Sequence, residues 1–162
     1  VSAQAFAPEQ AVTRRQAALL LDRYFTARGI QLESQPVTPF ADRASLDAQI
    51  LPAVERMQQA GILTGRPAGR FDPDAPITRQ DMAALFGTFL NAYDHGDEAV
   101  NSGAASFSDA GDIADYAQEG VALCWRLGIM GGNADGTFAP QATATRAQVA
   151  VTMVQMADIM ER

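Results

Sequence analysis

Apolar residues recur along this chain at helical intervals, separated by polar stretches that carry glycine or proline. Ala17, Leu20, Leu21, Tyr24 and Phe25 follow an i, i+3, i+4, i+7, i+8 pattern and predict one face of a helix ending by Gly29. Thr13 followed three residues later by Gln16 is a capping box at its start: the hydroxyl accepts the N3 amide and the glutamine reaches back to the cap's own N–H. Ile50, Val54 and Met57 predict a second helix from about Ile50, with Pro52 tolerated in the first turn and Gly61 as its C′ residue. A third, capped by Thr78 and Asp81, carries the cleanest stripe: Met82, Leu85, Phe86, Phe89, Leu90 and Tyr93. A fourth runs from about Ala114 to Leu127, with Ala117, Val121 and Cys124 inward, and a fifth is capped by Thr145 and Gln148. On the fifth, Val149, Thr152, Met153, Met156 and Met160 face inward. Residues 30–39 and 94–106 have no such period and read as linkers.

The pattern repeats. Phe71 to Asp81 recurs as Phe138 to Gln148, 67 residues on, and Phe6 to Gln16 precedes it by 65. Phe40 and Phe107 open two further matching halves, again 67 apart. A period this long and constant indicates a repeat architecture. The units are a partial repeat over 6–29 and full repeats over 40–93 and 107–160, so the chain enters its first repeat halfway. Each helix is apolar on one side and cannot bury that side alone. The expected fold is therefore all-α, with the three threonine-capped helices in an approximate three-fold arrangement and a Phe-x-Asp helix paired to each. Only two such helices are present, which leaves one pairing surface open or filled from outside.

Composition narrows the function. A net charge of −7 and a pI near 4.5 exclude the basic face that nucleic acid requires. An anionic ligand must then be held by a few local cations. The single cysteine excludes an internal disulfide framework, and no run is long and apolar enough for a membrane span. Ala3-Gln4-Ala5 has the form of a leader-cleavage site without the regions that precede one. His95 stands alone in a linker and Cys124 takes the core slot of Met57, so neither has a partner for nucleophilic catalysis. No enzyme and no cofactor are expected. Asn133-Ala134-Asp135-Gly136 lacks the further oxygen ligands of a calcium loop and reads as a plain turn; no metal site is expected.

Arg14, Arg79 and Arg146 each stand at N1, directly after the cap threonine. A cation there opposes the helix macrodipole by about 0.3–1 kcal/mol when exposed, so each needs a compensating partner. One candidate is a ligand carboxylate, gripped by the guanidinium beside free helix N–H groups. The other is an internal salt bridge to Asp42, Asp109 or Asp74. Gly61, Gly65, Gly128 and Gly132 are C-caps and turn formers, with exposed amides as a further use. Phe71 and Phe138 read as core plugs, whereas Trp125 and Tyr116 either stack on a sugar or are buried in a helix pair.

Taken in order, Phe-x-Asp, a helix, Gly-Ile-x-x-Gly, Gly-x-Phe-x-Pro and Ile-Thr-Arg-Ala-Glu resemble the S-layer homology (SLH) repeat. Here these are Phe40…Asp42, Gly61–Gly65, Gly69–Pro73 and Ile77–Asp81, then Phe107…Asp109, Gly128–Gly132, Gly136–Pro140 and Ala144–Gln148. The resemblance implies a pseudo-trimeric helical module of three prongs. It implies non-covalent anchoring of a secreted or surface protein to bacterial cell-wall glycan, often a pyruvylated secondary polymer, in the extracellular cell envelope. It further implies that the Thr-Arg arginines meet the acidic sugar in grooves between prongs. The site residues carried over are Arg79 and Arg146, then Arg14, with Asp42, Asp109, Gly65, Gly132 and Tyr116 around them. The motif glutamate is Gln16, Asp81 and Gln148 here, and is read as a structural cap. Tyr116 has Gln49 as its counterpart, which weakens one stacking surface. Alternatives are a structural or protein-interaction module, through S-layer assembly or a swapped oligomer of further copies of itself, and an outer-membrane anchor to peptidoglycan.

Overall fold

The computed structural model describes residues 6–92 and 99–161. Tyr93, His95 and the Ala3-Gln4-Ala5 feature lie outside the described residues. Within them the chain is all-helical: α1 (Arg14–Ala27), α2 (Leu51–Gln59), α3 (Arg79–Ala92), α4 (Asp115–Arg126) and α5 (Arg146–Met160). Short 3₁₀ turns at Arg43–Ser45, Pro67–Gly69 and Ala110–Asp112 shape the loops.

The helices start and stop where local chemistry directs. Thr13 with Gln16 and Thr145 with Gln148 form complete capping boxes. Thr78 and Asp81 form the third: the Asp81 amide donates to Thr78 Oγ1 at 3.2 Å and the Thr78 amide to Asp81 Oδ2 at 3.4 Å. Aspartate thus replaces the longer side chain without loss of the box. α2 begins differently, with Asp47 Oδ1 accepting from the amides of Gln49 and Ile50. At the other ends, Gly29, Gly61 and Gly128 adopt left-handed φ of 66°, 72° and 72°. The amides of Ile30, Ile62 and Ile129 then reach back to the carbonyls of Phe25, Met57 and Cys124, closing three Schellman motifs.

Two compact units divide the chain, Val12–Pro76 and Val1–Ala11 with Ile77–Arg162. In the first, α1 packs on α2 around Leu21, Phe25, Val54, Met57 and Phe71. The buried face of α1 is turned from the predicted one. Leu20 is 41% exposed and Tyr24 only half-buried, while Ala18 and Asp22 go inside. The cause is specific: Arg56 grips Asp22 through two hydrogen bonds of 2.9 and 2.7 Å, so a carboxylate can occupy the face that hydrophobic counting gave to leucine.

In the second unit α3 packs on α4, and Met82, Leu85, Phe86, Phe89 and Leu90 are buried as the stripe predicts. Ala117, Val121 and Cys124 meet them from α4. On α5, Val149, Thr152, Met156 and Ile159 are buried, Met153 and Met160 half-buried, and Val151 and Val154 exposed.

Candidate functional site

The loops ahead of the capped helices are built around a buried ring. Phe71 and Phe138 are fully buried plugs, lying against Phe40 and Phe107 with ring centroids 5.6 and 5.2 Å apart. The residue after each plug turns into the left-handed region, φ 51° at Asp72 and 55° at Ala139. Such backbone needs support in a residue with a Cβ, and the Phe-x-Asp carboxylates supply it. Asp42 accepts from the amides of Phe71 and Asp72, both at 2.8 Å; Asp109 accepts from Phe138 and Ala139 at 2.7 and 2.8 Å. Burial works to raise the Asp42 pKa, but the amides of Phe71, Asp72 and Asp42 with Arg70 outweigh it and hold it below the ordinary carboxylate value.

Gly65 and Gly132 serve the same rings. A Cβ on Gly65 would lie 3.0 Å from Phe40 Cε1, and one on Gly132 would lie 2.9 Å from Phe107 Cε1. Their need is close approach to an aromatic edge, distinct from the C-capping by Gly61 and Gly128.

Backbone carbonyls and the buried rings hold the arginines. Arg14 donates through Nε to Phe71 O at 2.7 Å and through Nη2 to Thr64 O at 3.2 Å, with its guanidinium 5.3 Å from the Phe71 ring centroid. Arg79 repeats this on Phe138 O at 2.8 Å and Gly131 O at 2.9 Å, 4.9 Å from the Phe138 centroid. The acceptors shown are carbonyl oxygens, and the salt-bridge partner Asp74 pairs instead with Arg15. Arg146 sits 5.3 Å over Phe6 and donates to Gln10 Oε1 at 3.2 Å, so it makes the ring contact with a looser grip. Burial lowers the Arg79 pKa, against the opposing charge of Asp109.

The expected free helix N–H groups are not there. The N1 and N2 amides of α1 donate to Ala75 O and Pro73 O, those of α3 to Ala142 O and Pro140 O, and those of α5 to Gln10 O and Pro8 O. The threonine hydroxyls take the N3 amides. Each lead-in loop lies across a helix start and consumes the donors an anion would use.

Beside Arg79 lies an open groove of about 310 Å³, lined by Arg79, the loop Ile129–Gly131, and Ala147, Gln148, Val151, Thr152 and Gln155 of α5. Arg79 enters as a wall, with Nε and Nη2 committed and Nη1 without a partner among the described residues. Gln148 is both cap and wall. Tyr116 is 57% exposed, and its hydroxyl donates to Asp81 Oδ1 at 2.6 Å, so it stands outside this groove, tied to a helix cap. Trp125 lines a different cavity, bounded by α4, Asn91 of α3 and the loop over residues 103–113. Gln155 and the carbonyls of Thr64 and Gly131 had no signal in the residue pattern, because a backbone oxygen leaves none. Among the described residues no group of three His, Cys, Asp or Glu side chains could hold a metal ion.

Comparison with known proteins now decides the family. The S-layer homology domain model matches residues 39–83 and 106–150, more than half of the chain. The chain belongs to the S-layer homology domain family. It is 34% identical over 152 residues to an endoglucanase of Bacillus sp. (strain KSM-635), covering 92% of this chain and 15% of that protein. It is 30% identical over 142 residues to cell surface glycoprotein 1 of Acetivibrio thermocellus, 84% of this chain and 6% of that one. The surface-layer 125 kDa protein of Lysinibacillus sphaericus is 32% identical over 97 residues, 58% and 8% respectively. The SLH chain thus spans a small part of each of these relatives. As an SLH region it is a cell-surface anchoring module of the cell envelope, and no described helix is long and apolar enough to cross a membrane.

Proposed function

We propose that this SLH region anchors its protein non-covalently to bacterial cell-wall glycan, and that the groove at Arg79 receives an acidic sugar. The carrying observation is a half-committed guanidinium in an amide-rich groove: Arg79 offers Nη1 while Gln148 and Gln155 line the same space. A carboxylate or ketal acid on the sugar would take the guanidinium edge, and hydroxyls would take the amides. Val151, 55% exposed, gives an apolar patch for a ring face. Asp109 and Gly132 act one step back: Asp109 fixes the turn at Phe138, whose carbonyl accepts from Arg79 Nε, and Gly132 lets the Gly131 loop approach Phe107. Asp42, Gly65 and Arg14 do the same work in the Val12–Pro76 unit. Arg146, half-buried and lightly held, is a second acid contact, and Tyr116 an exposed stacking edge. In a chain of net charge −7 an acidic polymer must be held by such local cations.

The test is co-sedimentation with purified wall sacculi, before and after the secondary polymer is stripped. Binding lost on stripping, and reduced at least about tenfold by Gln155→Ala with unchanged Tm, supports the reading. Binding to neither preparation overturns it.

A further inference from the structure

We infer that the cavity between α4 and the loop over residues 103–113 is a separate binding site, for a neutral sugar stacked on Trp125. It shares no lining residue with the Arg79 groove, so it can be filled whether or not that groove binds an acid.

The two full repeats differ at this place. Residues 67 apart line it in each: Val37, Arg43, Glu55 and Gln58 in one, Ala104, Ala110, Ala122 and Trp125 in the other. Around α2 the space is nearly filled. The Arg43 guanidinium spans it to Glu55, with Nε and Nη2 each 2.7 Å from Oε1, and a cavity of only about 50 Å³ is left. Around α4, alanines stand for the valine, the arginine and the glutamate, and the cavity is about 710 Å³. The aromatic ring at its base registers the difference: Phe40 is buried, whereas Phe107 is only half-buried.

What lines the widened space fits a sugar. Trp125 is the chain's one tryptophan, and it stands half-buried where the other repeat has Gln58. The negative π face of an indole attracts the weakly positive C–H face of a pyranose ring. Beside it lie planar polar side chains of the kind that bond hydroxyls: Gln118, in place of Leu51, with Asn91, Glu119 and Arg126. Asn91 Nδ2 donates to Glu119 Oε1 at 2.9 Å, which steadies both and leaves Glu119 Oε2 for a ligand. Gln118 makes only long bonds, 3.3 Å to Asp115 and 3.5 Å to Ile113 O, and the Arg126 guanidinium has no partner among the described residues. Glu119 and Arg126 cancel in charge, which selects a neutral ligand and distinguishes this pocket from the Arg79 groove. Apolar walls with a few polar groups, in a volume of several hundred Å³, are the usual anatomy of a small-molecule site.

The lone tryptophan supplies the readout. The 162-residue chain is titrated with cellobiose and with N,N′-diacetylchitobiose, both neutral disaccharides, and Trp125 fluorescence is followed. A saturable change with at least one of them is expected, at a Kd below about 10 mM. A110R with A122E rebuilds the Arg43–Glu55 pair inside the pocket and should weaken that binding at least about tenfold, with Tm within about 2 °C of the parent. Q118L, which installs the leucine of the other repeat, should weaken it at least about threefold and keeps the test decisive if the double variant does not fold. No saturable change with either disaccharide overturns the inference. So does a change that the folded variants leave undiminished, or glucuronate binding at least about tenfold tighter than both disaccharides, which would make the site an acid site.

Discussion

Gly87 of α3 and Gly120 of α4 meet backbone to backbone: a Cβ built on Gly87 would lie 2.4 Å from Gly120 Cα, and one on Gly120 would lie 2.5 Å from Ala83 O. A glycine inside a helix ordinarily costs about 0.5–1 kcal/mol relative to alanine, so this pair is retained for contact. Gly87→Ala should therefore destabilise despite its better propensity. The expected net loss is about 1–3 kcal/mol, the scale of an overpacked core, read as a lower urea midpoint with unchanged slope. A gain in stability would mean that the two helices separate at little cost.

Arg79 ties a loop together before it touches any ligand. Its Nε and Nη2 bonds to Phe138 and Gly131 need a planar fork, which lysine lacks. Arg79→Lys should cost about 1.5–3 kcal/mol, the scale of hydrogen bonds to a charged group. Arg146→Lys, losing a single bond to a glutamine, should cost less. Thermal denaturation of the two variants side by side checks the order. Equal losses would show that the carbonyl grip on Arg79 adds nothing.

Five helices were legible in the sequence because their information is local: caps at Thr13, Thr78 and Thr145, glycines at the far ends, and a 3.6-residue stripe between. The inward turn of Asp22 was not legible, because it depends on Arg56, 34 positions away, outweighing the preference for Leu20. The arginine positions were legible but their bonds were not. Arg14 and Arg79 stood out at an electrostatically poor position, yet the acceptors shown for them are backbone carbonyls, which no residue type reveals. The same blindness hid the loops lying across the helix starts, and with them the loss of the expected anion-binding amides.

Acid should loosen the loop at Phe71. The Asp42 carboxylate holds two amides and its pKa lies below the ordinary 3.8, so its stabilisation is complete above that value. As pH falls below 3.8 and passes through the lowered pKa, the unfolded state takes up the proton first and stability declines. Asp42→Ala removes the effect and leaves buried amides without acceptors, at about 1–3 kcal/mol near neutral pH. Denaturant titrations between neutral pH and about pH 3 should show a steeper acid loss in the wild type than in D42A. Parallel profiles would place the acid sensitivity elsewhere.

Cys124 reports on the α3·α4 pair without any added label. Burial pushes its thiol up from 9.0 to about 12, and its Sγ lies 3.7 Å from Ala83 O in the same contact that seats Gly120. The thiolate is the reactive form, so in native buffer near pH 8 a disulfide reagent should reach Cys124 only when the pair opens. A reaction slowed at least about a thousandfold relative to the urea-unfolded chain is expected, consistent with an opening free energy of several kcal/mol. The raised pKa also fixes a direction for alkali: stability is whole below 9.0 and declines as pH rises above it towards the folded value. Gly87→Ala, which forces the same helices apart, should speed the native reaction in proportion to its loss of stability. If the wild-type thiol reacts at the unfolded rate in native buffer, the α3·α4 contact does not protect it, and the overpacking expected for Gly87→Ala loses its basis as well.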